Sequence, residues 1–555
     1  MTSTSFNKIA FNCDVMIHIY KCLNFGDQLR LAQVDANLRN IFLQYISPIN
    51  YDKLKVIKYN EDYIVSNDTD TDRILIRNFG DLEAFLQLYG NNVYDFSLRA
   101  AWNCKTFSVL FAEIPLPMEC FKNIVKLKFN INRFTTVDMV QLANMFPNLE
   151  ELQVHTSECE SEHYCMTRAM VKEILRLEKL KKLVLLIRKR IFYYINFKDF
   201  CEIVTKLPLD KINLKFTILF DSDYNELELQ QSHVPLMQLK TDNYGIDVSF
   251  SSMLSSLRNL TILSIEEYCN EMANGLRQLH KLTISYTEFS EETNIILPPN
   301  LTTLHLISCE RVLLKHLQQF LHENSNPKLI EFVAIRTNFR VKEVEELHIS
   351  SRIKTLNIGS FDLNQFRLPF AENSALENLT LKTLPENHLA MDTLLNLRNL
   401  KKLSLRLTLP DGGFNIIRIL QELPFLRELI VRQQESASCP SLQAVVTSVT
   451  CLKIVCFQNC GTILGFWLDM FSLNPQLELQ LNFDIDEDNL QYLIQHERFP
   501  RSLRKIQICG FTVDCRKLRN NFESILEIIN CSIEDDENDN PTEIKCNIIM
   551  SRNKK

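Results

Sequence analysis

An α/β solenoid of horseshoe form, with parallel strands lining a concave sheet and helices outside, is the fold class this sequence predicts. Three observations predict it. The chain has 555 residues, well beyond the ~250–300 at which one compact core stops growing. From about residue 90 a single apolar pattern recurs, at intervals mostly between 22 and 29 residues with extremes of 19 and 31. A proline also stands repeatedly between a helical stretch and the next copy of the pattern, as in "FPNLEEL", "LPPNLTTL", "NPKLIEF", "LPFLREL" and "FPRSLRKI". Proline cannot continue a helix, and it biases its neighbour toward extended backbone.

The N-terminal stretch "CDVMIHIYKCLNFGDQLRLAQV", from Cys13 to Val34, follows a different rhythm. Val15, Met16, Ile19, Tyr20 and Leu23 share one face at helical spacing, as in a helix packing on a partner. Gly26 ends a turn, and Asp27 suits the N-cap of a second helix carrying Leu31, Val34 and Leu38. "LRNIFLQYI" from Leu38 to Ile46 completes a three-helix unit over residues 9–47. Residues 48–90 read as a linker and N-terminal cap, because "KYNEDYIVSNDTDTDR" from Lys58 to Arg73 is polar and acidic.

Residues 91–533 carry the repeat: apolar, two variable, apolar, one variable, apolar. Copies include "VYDFSL" from Val93, "IVKLKF" from Ile124, "LEELQV" from Leu149, "LDKINL" from Leu209, "LTTLHL" from Leu301, "LENLTL" from Leu376, "LKKLSL" from Leu400 and "LRKIQI" from Leu503. This is the leucine-rich-repeat signature at its expected period. The last two apolar residues alternate on a strand and point inward, so the residue between them points out. The chain returns through helices such as "TVDMVQLANMF" from Thr136 to Phe146. Cysteine stands three residues past the strand in "LISC" (Cys309), "FQNC" (Cys460) and "IINC" (Cys531), where this repeat class uses Asn or Cys to turn the chain. "LIRKRIFYYINFKDF" lengthens one repeat; its Arg188-Lys189-Arg190 run reads as a solvated face, with Phe192, Tyr193 and Tyr194 available for contact. Residues 534–555 form a charged tail, expected to be disordered at least through Pro541.

With both parts in view, the N-terminal unit resembles an F-box. Phe11 and Asn12 stand where that pattern has Leu-Pro, Asp14 at its acidic position, Val15 and Met16 at its aliphatic pair, Ile19 and Tyr20 at its Ile-Phe pair and Leu23 at its closing Leu. Asp27 and Leu29 fall near its Asp-Leu element, with Val34 at its Val and Leu38 at its Trp. An F-box-like unit followed by a long leucine-rich array is the layout of the F-box/leucine-rich-repeat substrate receptors. The resemblance implies a Skp-type adaptor and cullin bound through residues 9–47, with Asp14, Val15, Met16, Ile19, Tyr20, Leu23, Leu29 and Val34 as adaptor contacts and a protein target on the repeats. The alternative is an interaction scaffold whose N-terminal helices merely cap the first repeat, since an open repeat needs covering.

Catalysis is not expected. The sequence holds only 11 glycines and no phosphate-cradling glycine loop, no H-E-x-x-H, no G-x-S-x-G and no kinase set. Neither a metal nor a cofactor is expected: 17 cysteines include no C-x-x-C pair. Lacking a signal peptide or an apolar run near ~20 residues, the chain is expected in the cytoplasm or nucleus. At net charge -7 no global field draws it to nucleic acid or membrane.

The partner is expected on the outward positions of the strands. Reading one of them through successive repeats yields Gly359, Lys382, Arg406, Arg432 and Gln458. Three stacked cations predict an acidic or phosphorylated substrate against Lys382, Arg406 and Arg432, with Thr380 and Ser404 beside them.

Overall fold

The computed structural model describes residues 12–47, 52–59, 62–66, 73–76, 78–100, 122–159, 166–187, 193–214, 216–219, 234–241, 248–266, 268–289, 294–322, 324–340, 345–346, 349–359, 366–367, 375–381, 388–407, 412–433, 445–456, 473–474, 478–483, 505–509, 527–534 and 545–551. The chain is an α/β leucine-rich-repeat solenoid, in two compact units, Met1–Ile265 and Glu266–Lys555.

The first unit opens with three helices: α1, Cys13–Cys22; α2, Phe25–Val34; and α3, Ala36–Ile41, which runs on into a π-helical turn at Phe42–Ile46. Each starts on a side chain that satisfies an orphan backbone N–H. Asn12 accepts from Val15 N at 3.2 Å, Asn24 from Asp27 N at 3.0 Å and Asp35 from Asn37 N at 2.7 Å. The N-cap of α2 is therefore Asn24, three residues before the expected Asp27, and Gly26 lies inside the helix. Met16, Tyr20, Leu29, Leu38 and Phe42 are buried. The Tyr20 hydroxyl donates to the Leu38 carbonyl at 3.0 Å.

Residues 48–90 are not a linker. Strands Lys53–Tyr59, Asp62–Ser66 and Arg73–Ile76 pair antiparallel in sequence, and α4 follows at Phe79–Tyr89. The acidic run hid two strands because its buried side, Tyr63 and Val65, is only two residues long. Lys53–Tyr59 also pairs parallel with Asp95–Ala100, so the solenoid sheet begins at residue 53, with Leu54 and Val56 buried.

The parallel ladder then runs through Lys126–Phe134, Glu151–Cys159, Lys182–Ile187, Lys211–Leu214, Gln238–Thr241 and Ile262–Ile265. Inward residues such as Leu127, Phe129, Leu152, Val154, Leu183 and Leu185 are buried, as alternation requires. Helices Thr136–Met145, Arg168–Leu175, Phe197–Lys206 and Val248–Ser256 return the chain. The first begins in a reciprocal cap: Thr135 N donates to Asp138 Oδ2 at 2.8 Å, and Asp138 N to Thr135 Oγ1 at 3.2 Å.

The second unit repeats the scheme from Lys281–Ser285 through Thr303–Ile307, Glu331–Ile335, Thr355–Ile358, Asn378–Leu381, Lys402–Leu407, Glu428–Gln433, Cys451–Cys456, Glu478–Phe483 and Lys505–Cys509, all parallel. Two registers differ from the sequence reading. Leu452 lies opposite Leu429, so that repeat starts at Val449, three residues before the expected Leu452. Glu478–Phe483 is an additional copy, hidden because Gln476 holds the first apolar position.

In the C-terminal tail the stretch 535–544, which holds Pro541, lies outside the described residues. Lys545–Ser551 beyond it is a strand, antiparallel to both Lys505–Cys509 and Glu527–Glu534. Cys531 sits within Glu527–Glu534, where the register shifts between Ile529 and Ser532, and not in a turn. Cys460 lies outside the described residues. Cys309 is the turn residue expected: it is fully buried, with its thiol directed to the Ile284 carbonyl at 3.5 Å. Threonine takes the same post elsewhere, Thr287 donating to the Glu266 carbonyl and Thr337 to that of Leu306, the latter at 3.3 Å. The residue before the turn has positive φ at Tyr286, Ser308 and Arg336.

Candidate protein-interaction surfaces

Two surfaces bear on function, the N-terminal helices and the helix-free face of the sheet. On the helices, the predicted contacts divide by the geometry of a helix with more than one apolar stripe. Val15 and Ile19, one turn apart on α1, are 40% and 37% exposed, and Val34 at the end of α2 is 68% exposed. Asp14 is exposed and Leu23 half-buried. Met16, Tyr20 and Leu29 instead form the unit's own core and have no surface for a partner, which corrects their placement among the contacts. Burial pushes the Tyr20 hydroxyl up to about 12.

The helices are pinned to the solenoid through α4. The rings of Phe25 and Phe85 lie 6.4 Å apart, as do those of Phe42 and Tyr89. Gln33 donates to Gln87 at 2.9 Å, and Arg30 pairs with Asp81 at 3.4 Å. A Cβ on Gly26 would lie 2.6 Å from Asp81 Oδ2, so the close approach of α2 to α4 needs glycine there.

On the sheet of the second unit, Thr380 lies opposite Ser404 and Arg406 opposite Arg432, as the repeat register predicts. Lys382 and Gln458 fall outside the described residues. Beyond Arg432 the row continues to Val455 and Asn482, because of the three-residue offset at Leu452. Ser404, flanked in register by Thr380 and Ile430, is only 3% exposed and has almost no surface for the contact expected. In the lengthened repeat, Arg188 to Phe192 lie outside the described residues. Tyr193 is buried, its ring 5.8 Å from that of Phe216, so it supports the core and offers no contact.

His305 accompanies Glu331 on the neighbouring strand at 3.2 Å. Burial, helped by Lys281, holds its imidazole below the usual value against the pull of Glu331, so the pair is a hydrogen bond of a neutral ring at pH 7.

The first unit bears a charge ladder that reading the repeats one at a time did not reveal. Lys126 and Lys182 both reach Glu151, at 2.6 and 3.2 Å. Burial pushes the Glu151 carboxyl up, but the two lysines outweigh it and hold it below the ordinary range. The signal was a charged residue immediately before an inward leucine in three successive copies, Lys126 in "KLKF", Glu151 in "ELQV" and Lys182 in "KLVL". Among the described residues no group of three or more His, Cys, Asp or Glu is placed to hold a metal, and no helix is long and apolar enough to cross a membrane.

No protein-family profile matches this sequence, and no curated protein matches it. Among solved structures, the crystal structure of a TLR13–ssRNA13 complex is similar over 76% of this chain, with 15% identity and a TM-score of 0.36. The chain covers 60% of the length of that one.

Proposed function

We propose that this chain is the substrate-recognition subunit of a Skp–cullin–F-box type ubiquitin ligase, itself non-catalytic. Its N-terminal helices dock a Skp-type adaptor, and the open face of its repeats holds the target protein. The observation that carries the reading is the exposure of Val15, Ile19 and Val34 on a helical unit whose core is complete without them. Single exposed apolar residues are ordinary. A pair one turn apart, within an F-box-like register and ahead of a leucine-rich array, is what an adaptor surface requires.

The packing of α2 on α4 favours a second reading, in which the helices only cap the first repeats of a protein-interaction scaffold. One experiment separates the two. Because Val15 and Ile19 are exposed, Val15→Asp with Ile19→Asp leaves the unit's core intact, whereas a carboxylate buried against an adaptor is costly. The double variant of the full chain, purified from cells, is expected to recover at least about tenfold less adaptor and cullin, with an unchanged thermal melt. Equal adaptor recovery by variant and parent, or none by either, leaves the capped scaffold as the function.

A further inference from the structure

The open sheet face of the first unit carries a positive charge that the composition of the chain, net -7, does not explain. Seven strands lie in parallel from Lys53–Tyr59 to Gln238–Thr241, and residues in register form rows across them. One row runs Lys53, Asp95, Lys126, Glu151, Lys182, Lys211. The next, two residues further along each strand, holds Lys55, Lys128 and Lys240, separated only by neutral residues. The flanking inward positions, such as Leu54, Val56, Leu127, Phe129 and Leu239, are buried, which puts the lysines on the opposite, helix-free face.

Seven lysines there meet two carboxylates. Glu151 is already shared between Lys126 and Lys182. Lys128 and Lys240 are exposed and Lys211 half-buried, and none of the three has a partner among the described residues. Lys211 moreover lies directly opposite Lys182 on the adjacent strand. Like charges so placed destabilise a sheet, and a partner of opposite sign relieves the repulsion.

The composition of the rows favours polypeptide over nucleic acid. Sites for single-stranded nucleic acid stack bases on aromatic side chains, and neither row contains one. The charged ends of the lysines are met by carboxylates spaced along an extended chain, which needs no such platform. We propose that this face binds an extended, Asp/Glu-rich segment of the target protein, laid across the strands. At ~4.8 Å between strands the rows span ~29 Å, the length of about nine extended residues.

The proposal rests on the reading of the sheet as the target-binding face and not on the adaptor. The test is fluorescence anisotropy of the full chain with a labelled nine-residue peptide of alternating Glu and Gly, and with an oligothymidylate of equal length. The peptide is expected to bind, more weakly as salt rises from roughly 50 to 300 mM. Lys128→Glu with Lys240→Glu is expected to weaken peptide binding about tenfold or more. Lys172→Glu with Lys198→Glu, the same charge change on the return helices Arg168–Leu175 and Phe197–Lys206, is expected to change it less than about twofold. No peptide binding, equal losses in the two double variants, or tighter binding of the oligothymidylate overturns the proposal. Adaptor recovery measured on the same proteins separates the readings: peptide binding without adaptor overturns the ligase assignment alone, and adaptor without peptide binding overturns this proposal alone.

Discussion

Cys309, Tyr20 and Tyr89 show how far a residue's role depends on where the fold puts it. Burial pushes the Cys309 thiol up to about 11 and the Tyr20 and Tyr89 hydroxyls up to about 12, the last against a smaller lowering influence of Ser47. All three groups are neutral when protonated, so the unfolded chain releases their protons first as pH rises. Their contribution to stability is whole below the unfolded values, near 9 for the thiol and 10 for the phenols, and is lost as pH climbs through the folded values. Urea midpoints are therefore expected to fall between about pH 9 and 12, each group accounting for roughly 2 kcal/mol across its window. A midpoint flat across that range would contradict the burial of these groups. The same burial predicts that at pH 8 an alkylating reagent modifies the exposed Cys22 in the folded protein and reaches Cys309 only after unfolding.

At the scale of elements, the junction of α2 and α4 decides whether the N-terminal helices and the solenoid move as one body. Asp81, which a Gly26 side chain would strike, is held by Asn78 at 2.7 Å as well as by Arg30. Gly26→Ala is expected to destabilise the protein by about 1 kcal/mol despite alanine's better helix propensity, because Asp81 cannot swing aside without losing both partners. In an Asp81→Ala background the same change is expected to stabilise, by up to about 1 kcal/mol. Additive effects in that cycle, measured by urea unfolding, would show that the two helices are not in contact here. Most elements were legible in advance because they are written locally: the strand alternation of "LEELQV" and the capped, apolar-faced helix at Thr136–Met145 depend on neighbours in sequence. Asp62–Ser66 and Arg73–Ile76 were not, since their apolar sides are too short to stand out from the charges between them.

For the whole molecule, stability should divide by neighbour, as in any stack of repeats. Ending the chain after Pro475 removes Glu478–Phe483 and everything beyond, and leaves Cys451–Cys456 as a bare edge. The truncated protein is expected to keep most of its helix and strand signal by circular dichroism, to unfold at lower urea, and to self-associate with rising concentration through that edge. Loss of all ordered signal would mean that the repeats share one indivisible core. The antiparallel strand Lys545–Ser551 gives the parent chain a different end: it covers Lys505–Cys509 and Glu527–Glu534 together.

What the sequence by itself determined is the repeat: its class, its inward residues, most of its register, and the presence of a separate helical unit before it. These follow from periodicity, which short-range sterics and burial impose on any chain of this pattern. Only the tertiary structure decided which apolar stripe of α1 serves the unit's core and which stays exposed, because both stripes are apolar and differ in what packs on them. It alone buried Ser404, shifted the repeat at Leu452 by three residues, and paired Lys545–Ser551 as a strand. The lysine rows of the first unit belong here too. Each lysine is an ordinary surface residue within its own repeat, and the field arises only when parallel pairing brings residues 25 to 42 positions apart to ~4.8 Å across the sheet.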